Sequence, residues 1–206
     1  MLHTAASRVG ALDLGFVPAD GGLNARQMAA AGTLDALFLL GADEIEVAPG
    51  AFVVYIGTHG DRGAARADVV LPGAAYPEKS ATYVNTEGRV QMATRASFPP
   101  GDAREDWAIL RALSDVLGKR LPYDSLAALR QALYKAHPLM MRLGQIAPGE
   151  GADIHKLAAL GGKADKAPFH SSVADFYFTN PIARASAVMA ECSAIAYRRT
   201  AKAVAE

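Results

Sequence analysis

The sequence has 206 residues, 51% of them apolar, and sets 21 lysines and arginines against 21 aspartates and glutamates, for a formal charge of zero. That apolar share excludes a disordered chain, and the charge balance gives no electrostatic ground for nucleic acid or an anionic membrane surface as partner. One cysteine, Cys192, excludes an internal disulfide and fits a reducing compartment. No apolar stretch approaches the ~20 residues of a membrane-spanning helix. Met1-Leu2-His3-Thr4 lacks the basic start and apolar run of a signal peptide. A soluble, cytoplasmic protein is expected.

In chain order, the first thirty residues are rich in glycine and alanine, with Gly10, Gly15, Gly21 and Gly22 in turn-like surroundings. They read as loops around short elements. A short helix is expected over 25–31, ended by Gly32. The apolar run 34–40 closes on Gly41-Ala42-Asp43 and reads as a buried strand. A second run, 52–56, closes on Gly57-Thr58-His59-Gly60-Asp61, and a third, Val69-Val70-Leu71, is stopped by Pro72. Continuous apolar strands with such connections predict a parallel sheet covered on both faces, half of a doubly wound arrangement.

Beyond Pro72, residues 82–85 and 89–94 flank Thr86-Glu87-Gly88 and predict a hairpin with a glycine turn. Pro99-Pro100-Gly101 marks a boundary. A helix is expected over 102–117, with Asp102 as its cap and Glu105 at the reciprocal position. Its apolar face would carry Trp107, Leu110, Leu113 and Leu117, and Gly118 would end it. A second helix is expected over 125–136, stopped by His137-Pro138. Residues 149–166 read as a long surface loop. Asn180-Pro181 opens a last helix through Ile182, Ala185, Met189, Cys192 and Ile195, with Arg198, Arg199 and Lys202 at its negative pole.

The fold class expected is α/β: a partial doubly wound parallel sheet with a β-hairpin, followed by a helical C-terminal region. It divides into an α/β domain (1–98), a helical segment (99–145), and a loop with the C-terminal helix (146–206).

The loop from Gly57 to Gly63 is the best candidate for a working site. It follows an apolar strand, where open α/β sheets place ligands, and its glycines would let backbone approach a phosphate. It matches neither nucleotide fingerprint, and a tight strand-to-helix turn needs the same residues. His59 beside Asp61 and Arg62 could form an acid–base pair, though a loop histidine is more often a solvated turn residue. His3, His137, His155 and His170 are scattered, without metal-ligand spacing. Cys192 sits on an apolar helical stripe, where packing is the usual role. Asp43, Glu44 and Glu46 read as carboxylates facing water. Glu78-Lys79 and Glu87 with Arg89 could touch a cofactor or neighbouring subunit, but a surface ion pair contributing about 0–1 kcal/mol is favoured. No catalytic, cofactor-binding or metal residue is assigned.

Several pieces, in fixed order, resemble a known family: Leu39-Leu40-Gly41-Ala42-Asp43, Ile56-Gly57-Thr58-His59-Gly60-Asp61, Ala67-Asp68-Val69-Val70-Leu71-Pro72, the run from Glu78-Lys79 through Thr82-Tyr83-Val84-Asn85-Thr86-Glu87-Gly88-Arg89, Arg104-Glu105-Asp106-Trp107, and Phe176-Tyr177-Phe178-Thr179-Asn180-Pro181. Together they resemble the molybdopterin oxidoreductase superfamily, and within it the large iron–sulfur subunits of respiratory NADH:quinone oxidoreductase, complex I. The resemblance implies a C-terminal part of such a subunit, with the α/β domain incomplete at its N-terminus. It further implies a structural scaffold in the peripheral arm, on the cytoplasmic or mitochondrial matrix side of the inner membrane, partnered by other complex I subunits and by the N-terminal part of the same subunit. The family's [2Fe-2S] and [4Fe-4S] clusters belong to N-terminal domains, and no cofactor is expected in this stretch. Asn85 and Arg89 occupy the motif positions nearest a pterin, but no cofactor role is carried over. The alternatives are a fragment of a molybdopterin-dependent enzyme such as a formate dehydrogenase, and a nucleotide-binding module built on Gly57 to Gly63.

Overall fold

The computed structural model describes residues 8–146, 154–159, 161–162, 166–168, 171 and 173–205. Its centre is a parallel sheet of three described strands, β1 (Ala36–Leu40), β2 (Phe52–Gly57) and β3 (Val69–Pro72), in that spatial order. Leu37 pairs with Val53, Leu39 with Tyr55, and Tyr55 with Val70, so these residues share one face. Strands laid down in sequence, each joined by a right-handed crossover, must carry their connections on a single face. They do: Ile45 and Val47 from the first connection, and Ala64 and Ala67 from the second, pack on the buried cluster of Leu37, Leu39, Val53 and Tyr55. The second connection contains helix α3 (Arg62–Arg66). The preceding helix α2 (Ala25–Met28), with its Asn24–Gln27 capping box, adds Met28 to the same layer. The six-residue helix α1 (Arg8–Asp13) comes before it.

The opposite face differs from expectation. Phe38, Leu40, Phe52 and Val69 lie on it and are 46, 53, 51 and 38% exposed. Val54 and Ile56 lie on the same face and are 7 and 1% exposed. Among the described residues the second face is therefore covered at its central strand and left open toward β1 and the strand ends, both crossovers having gone to the other side. The outer edge of β3 is partly taken up by a bridge between Gly73 and Arg104, with the Ala74 amide donating to the Arg104 carbonyl at 2.8 Å.

The hairpin is present as β4 (Ala81–Val84) and β5 (Val90–Ala93), antiparallel with Val84 opposite Val90. Its turn is built by Asn85, whose Oδ1 accepts from the amides of Glu87 and Arg89, both at 3.0 Å. Gly88 supplies the left-handed φ of 81° that the turn needs. Gly10, read as a turn glycine, instead lies inside α1, where a Cβ would stand 3.2 Å from the Val84 Cβ. The close approach of α1 to β4 is the physical reason for the glycine.

Helix α4 (Asp106–Val116) starts three residues later than the capping pattern predicts, with its N-cap at Glu105 in place of Asp102. The Arg104 backbone is held extended by its bridge to β3, so Asp102 stays in a turn, and Glu105 becomes the N-cap residue without a side-chain cap bond. Its packed face also differs. Leu117 is 65% exposed, while Arg111 and Ser114 are buried. Arg111 is drawn in by Asp115, Asp124 and the Tyr123 carbonyl, which leaves the leucine stripe only partly covered. Helix α5 (Leu126–Ala136) is capped by the Ser125 hydroxyl and ends at His137 as expected. The stretch read as a long surface loop contains helix α6 (Ile154–Ala159); the rest of that reading falls largely outside the described residues. The single last helix is broken into one turn, α7 (Pro181–Arg184), and a long α8 (Ala187–Ala205). The Asn180 side chain caps the first, and the Ser186 hydroxyl accepts from the Met189 amide at 3.3 Å to restart the second.

Candidate functional site

The carboxyl ends of β1 and β2 form the crevice where open α/β sheets hold ligands. β1 empties into Asp43 and Glu44, and β2 into the Gly57 to Gly63 loop, whose Asp61 accepts from the Arg62 amide at 2.8 Å and caps α3. The structure fills this crevice with a residue from far along the chain. Arg184, on α7, donates from Nε to Asp61 at 2.6 Å, from Nη2 to Asp43 at 2.6 Å and from Nη1 to Glu44 at 2.8 Å. Its Nη1 also reaches the Phe178 carbonyl at 3.2 Å.

Asp43 is buried at 4% exposure, so the reading of this residue as a carboxylate facing water is corrected: it is one arm of a charge cluster. Glu44 is exposed but paired there, and Glu46 pairs loosely with Arg62 at 3.4 Å. The Arg184 hydrogen bond, with the Arg62 amide second, holds the Asp61 carboxyl below the usual carboxylate range. Burial, then the Asp43 and Asp61 charges, pushes the Tyr55 phenol up.

The glycines of the loop have a packing reason. A Cβ on Gly57 would overlap the Tyr55 Cζ and Oη and stand 2.6 Å from its Cε1, and one on Gly63 would stand 3.0 Å from its Cδ2. The Tyr55 ring lies between them, 1% exposed, its hydroxyl donating to the His59 carbonyl at 3.3 Å. The space that glycines leave for a phosphate in nucleotide-binding loops is taken here by an aromatic ring. The His59 ring lies 3.0 Å from the Thr58 hydroxyl and the residue is half-buried; no described bond joins it to Asp61, whose carboxylate belongs to Arg184.

A cleft of 130 Å³ beside the crevice is lined by Tyr55, Gly57, Ala74, Pro181 and the ion pair of Lys79 with Asp106. Both partners of that pair are about a quarter exposed, so it is a partly buried contact and not the surface pair expected. Glu78 accepts from the Ala75 amide at 2.8 Å. Arg89 donates to the Gly144 carbonyl and lies 3.4 Å from Glu87, which ties the hairpin to the chain after α5. Each of these charged residues has a partner within the chain.

Sequence reading missed Arg184, although the signal was present: an arginine closing the first turn after an Asn-Pro cap, with aspartates just beyond two strand ends. Nothing local links positions separated by about 140 residues.

The fold and this crevice define an α/β protein with an open parallel sheet, and the family described as molybdopterin oxidoreductase matches residues 1–116. The chain belongs to that family. A second family, described as the C-terminal region of the G-type subunit of NADH-ubiquinone oxidoreductase, matches residues 145–192. The chain is 45% identical over 201 residues to the mitochondrial NADH-ubiquinone oxidoreductase 78 kDa subunit of Neurospora crassa, covering 94% of this chain and 26% of the relative. It is 46% identical to the 78 kDa subunit of Candida albicans (93% and 27%) and 44% identical to the 75 kDa subunit of Reclinomonas americana (95% and 28%). The chain spans about a quarter of the length of the curated relatives it matches. All three relatives are complex I subunits, so a fragment of a formate dehydrogenase is not favoured.

The family name implies a pterin cofactor, and the crevice does not fit its phosphates. Three carboxylates meet one guanidinium there, a local excess of negative charge, and the glycine cradle is filled by Tyr55. Iron–sulfur clusters need four ligands each, mostly cysteine, and the sequence holds one cysteine, half-buried on α8.

Proposed function

We propose that this chain is the C-terminal structural portion of the large iron–sulfur subunit of complex I, a scaffold in the peripheral arm that moves electrons from NADH to quinone. The observation that carries this reading is the closed crevice. Its charged and aromatic groups are spent on one another, which suits a piece that holds shape and performs no redox step. The apolar face bearing Phe38, Leu40, Phe52 and Val69 is, on this reading, docked by the N-terminal part of the same subunit and its neighbours. Among the described residues no helix is long and apolar enough to cross a membrane, in keeping with a place on the cytoplasmic or matrix face, reached through the complex. The clusters then sit in the N-terminal domains of the whole subunit. The three-part division at 98/99 and 145/146 belongs to the same proposal, supported at the first boundary by Pro99-Pro100 and the left-handed Gly101.

The test places Phe38→Asp with Phe52→Asp in the native gene, resolves the respiratory complexes on native gels, and measures NADH:quinone turnover per assembled complex. Fewer complexes with unchanged turnover each are expected. Normal assembly with turnover abolished would overturn the scaffold reading. His59→Ala and Cys192→Ala, measured the same way, should leave turnover within a few-fold.

A further inference from the structure

The C-terminal stretch over 173–197 is bonded within itself. Asp175 accepts from the Tyr177 amide at 2.8 Å and from the Ser193 hydroxyl at 2.5 Å, and the Tyr197 hydroxyl donates to the Ala174 carbonyl at 2.7 Å. Among the described residues, the ion pairs that join this segment to the α/β body all start at Arg184. Those pairs also join the two parts that separate families describe, 145–192 and 1–116.

We propose that the acidic mouth at the ends of β1 and β2 is an interface that reads a guanidinium, and that Arg184 is the lock seating segment 173–197 on it as one unit. The geometry is specific to arginine. Three nitrogens in one plane reach three carboxylates on two separate loops, and a lysine ammonium is a single point charge that cannot span them. Without the guanidinium, Asp43, Glu44 and Asp61 face one another with no cation between them, Asp43 while buried, and repel one another, which a neutral replacement does not offset. The segment therefore leaves together and exposes the crevice, while the sheet, whose core of Leu37, Leu39, Val53 and Tyr55 lies on its covered face, stays folded. This inference concerns contacts within the chain and stands apart from the scaffold role.

The experiment is hydrogen exchange read by mass spectrometry on the 206-residue chain, comparing wild type, Arg184→Gln and Arg184→Lys. Arg184→Gln is expected to speed exchange across 173–197 by about tenfold or more, with β2 peptides unchanged, and Arg184→Lys to lie between. Unchanged exchange across 173–197 in Arg184→Gln, or equal loss of protection in 173–197 and β2, would overturn the lock. A salt series on the wild-type chain covers the case in which the variants do not fold. Between about 0.05 and 0.5 M NaCl the exposed Glu44 arm of the cluster is screened, so exchange in 173–197 should rise selectively, and indifference to salt would count against the lock equally.

Discussion

Substituting Gly57 by alanine tests whether the glycine loop exists for the Tyr55 ring. The added Cβ would overlap two ring atoms and stand 2.6 Å from a third, against the roughly 3.5–4.0 Å of an ordinary carbon contact, so the ring must retreat by about 1 Å. Its retreat is limited because the ring is 1% exposed and packs on its far edge against the Gly63 backbone, so closely that a Cβ added there would stand 3.0 Å away. Forced overpacking of a buried side chain costs about 1–3 kcal/mol, and the two-sided confinement places Gly57→Ala at the upper end, about 2–3 kcal/mol. In a Tyr55→Leu background the clash is gone, and the same alanine should cost less than about 0.5 kcal/mol, since loss of glycine entropy in the unfolded chain works in its favour. The assay is urea denaturation of the four proteins of the cycle, followed by far-UV circular dichroism. With a slope near 2 kcal/mol/M, Gly57→Ala alone should lower the midpoint by about 1–1.5 M. Additive effects of the two substitutions, or a midpoint for Gly57→Ala within about 0.2 M of wild type, would refute the packing account and return the cradle to a ligand.

Acid should undo the carboxylate pairs in a defined window. Asp61, held down by Arg184 and then the Arg62 amide, and Asp124, held down by Arg111 and then Arg120, bind protons less readily folded than unfolded. Their contribution is therefore complete above the unfolded aspartate value of about 3.9 and is lost as pH falls through the lower folded values. Asp61→Asn and Asp124→Asn should lose less stability than wild type between about pH 5 and 2 in parallel urea titrations; equal losses would refute the assignment. Tyr55, raised by burial, contributes below its unfolded value of about 10 and loses that contribution as pH rises through the folded one, so Tyr55→Phe should flatten the alkaline limb of a thermal melt. Lys79→Met strands the Asp106 carboxylate, about a quarter exposed, at the start of α4. It should destabilise by about 1–3 kcal/mol, with part of the loss recovered by adding Asp106→Asn, as a double-mutant urea cycle would show.

What could be read from the sequence was local. The runs at 34–40 and 52–56 are uninterrupted apolar segments closed by glycine, and they became β1 and β2. Asn85 to Gly88 carries its own turn chemistry, and Ser125 is a cap three residues before the amide it accepts from. The misreadings share a cause: a distant partner overrode a local signal. Asp102-Ala-Arg-Glu105 has capping-box spacing, but the Arg104 backbone was claimed by β3. Leu117 sits at a helix-stripe position, but Arg111 found three oxygens on one side of α4 and turned that side inward. The crevice lies at the strand ends that the glycine and aspartate runs mark, while its occupant could not be foreseen, because no periodicity connects Asp43 to Arg184.

The half-open sheet leaves an imprint on mutational tolerance. Within β1, Leu37 and Leu39 point into the chain's own core, while Phe38 and Leu40 are left half-exposed among the described residues. A saturation scan of the 206-residue chain alone should penalise the first pair and accept polar residues at the second. On the proposed scaffold role, the same scan scored inside the assembled complex should penalise both. Subtracting one map from the other would outline the neighbour residue by residue, starting at Phe38, Leu40, Phe52 and Val69, and would give the outer surface of this piece as a negative cast of what rests on it.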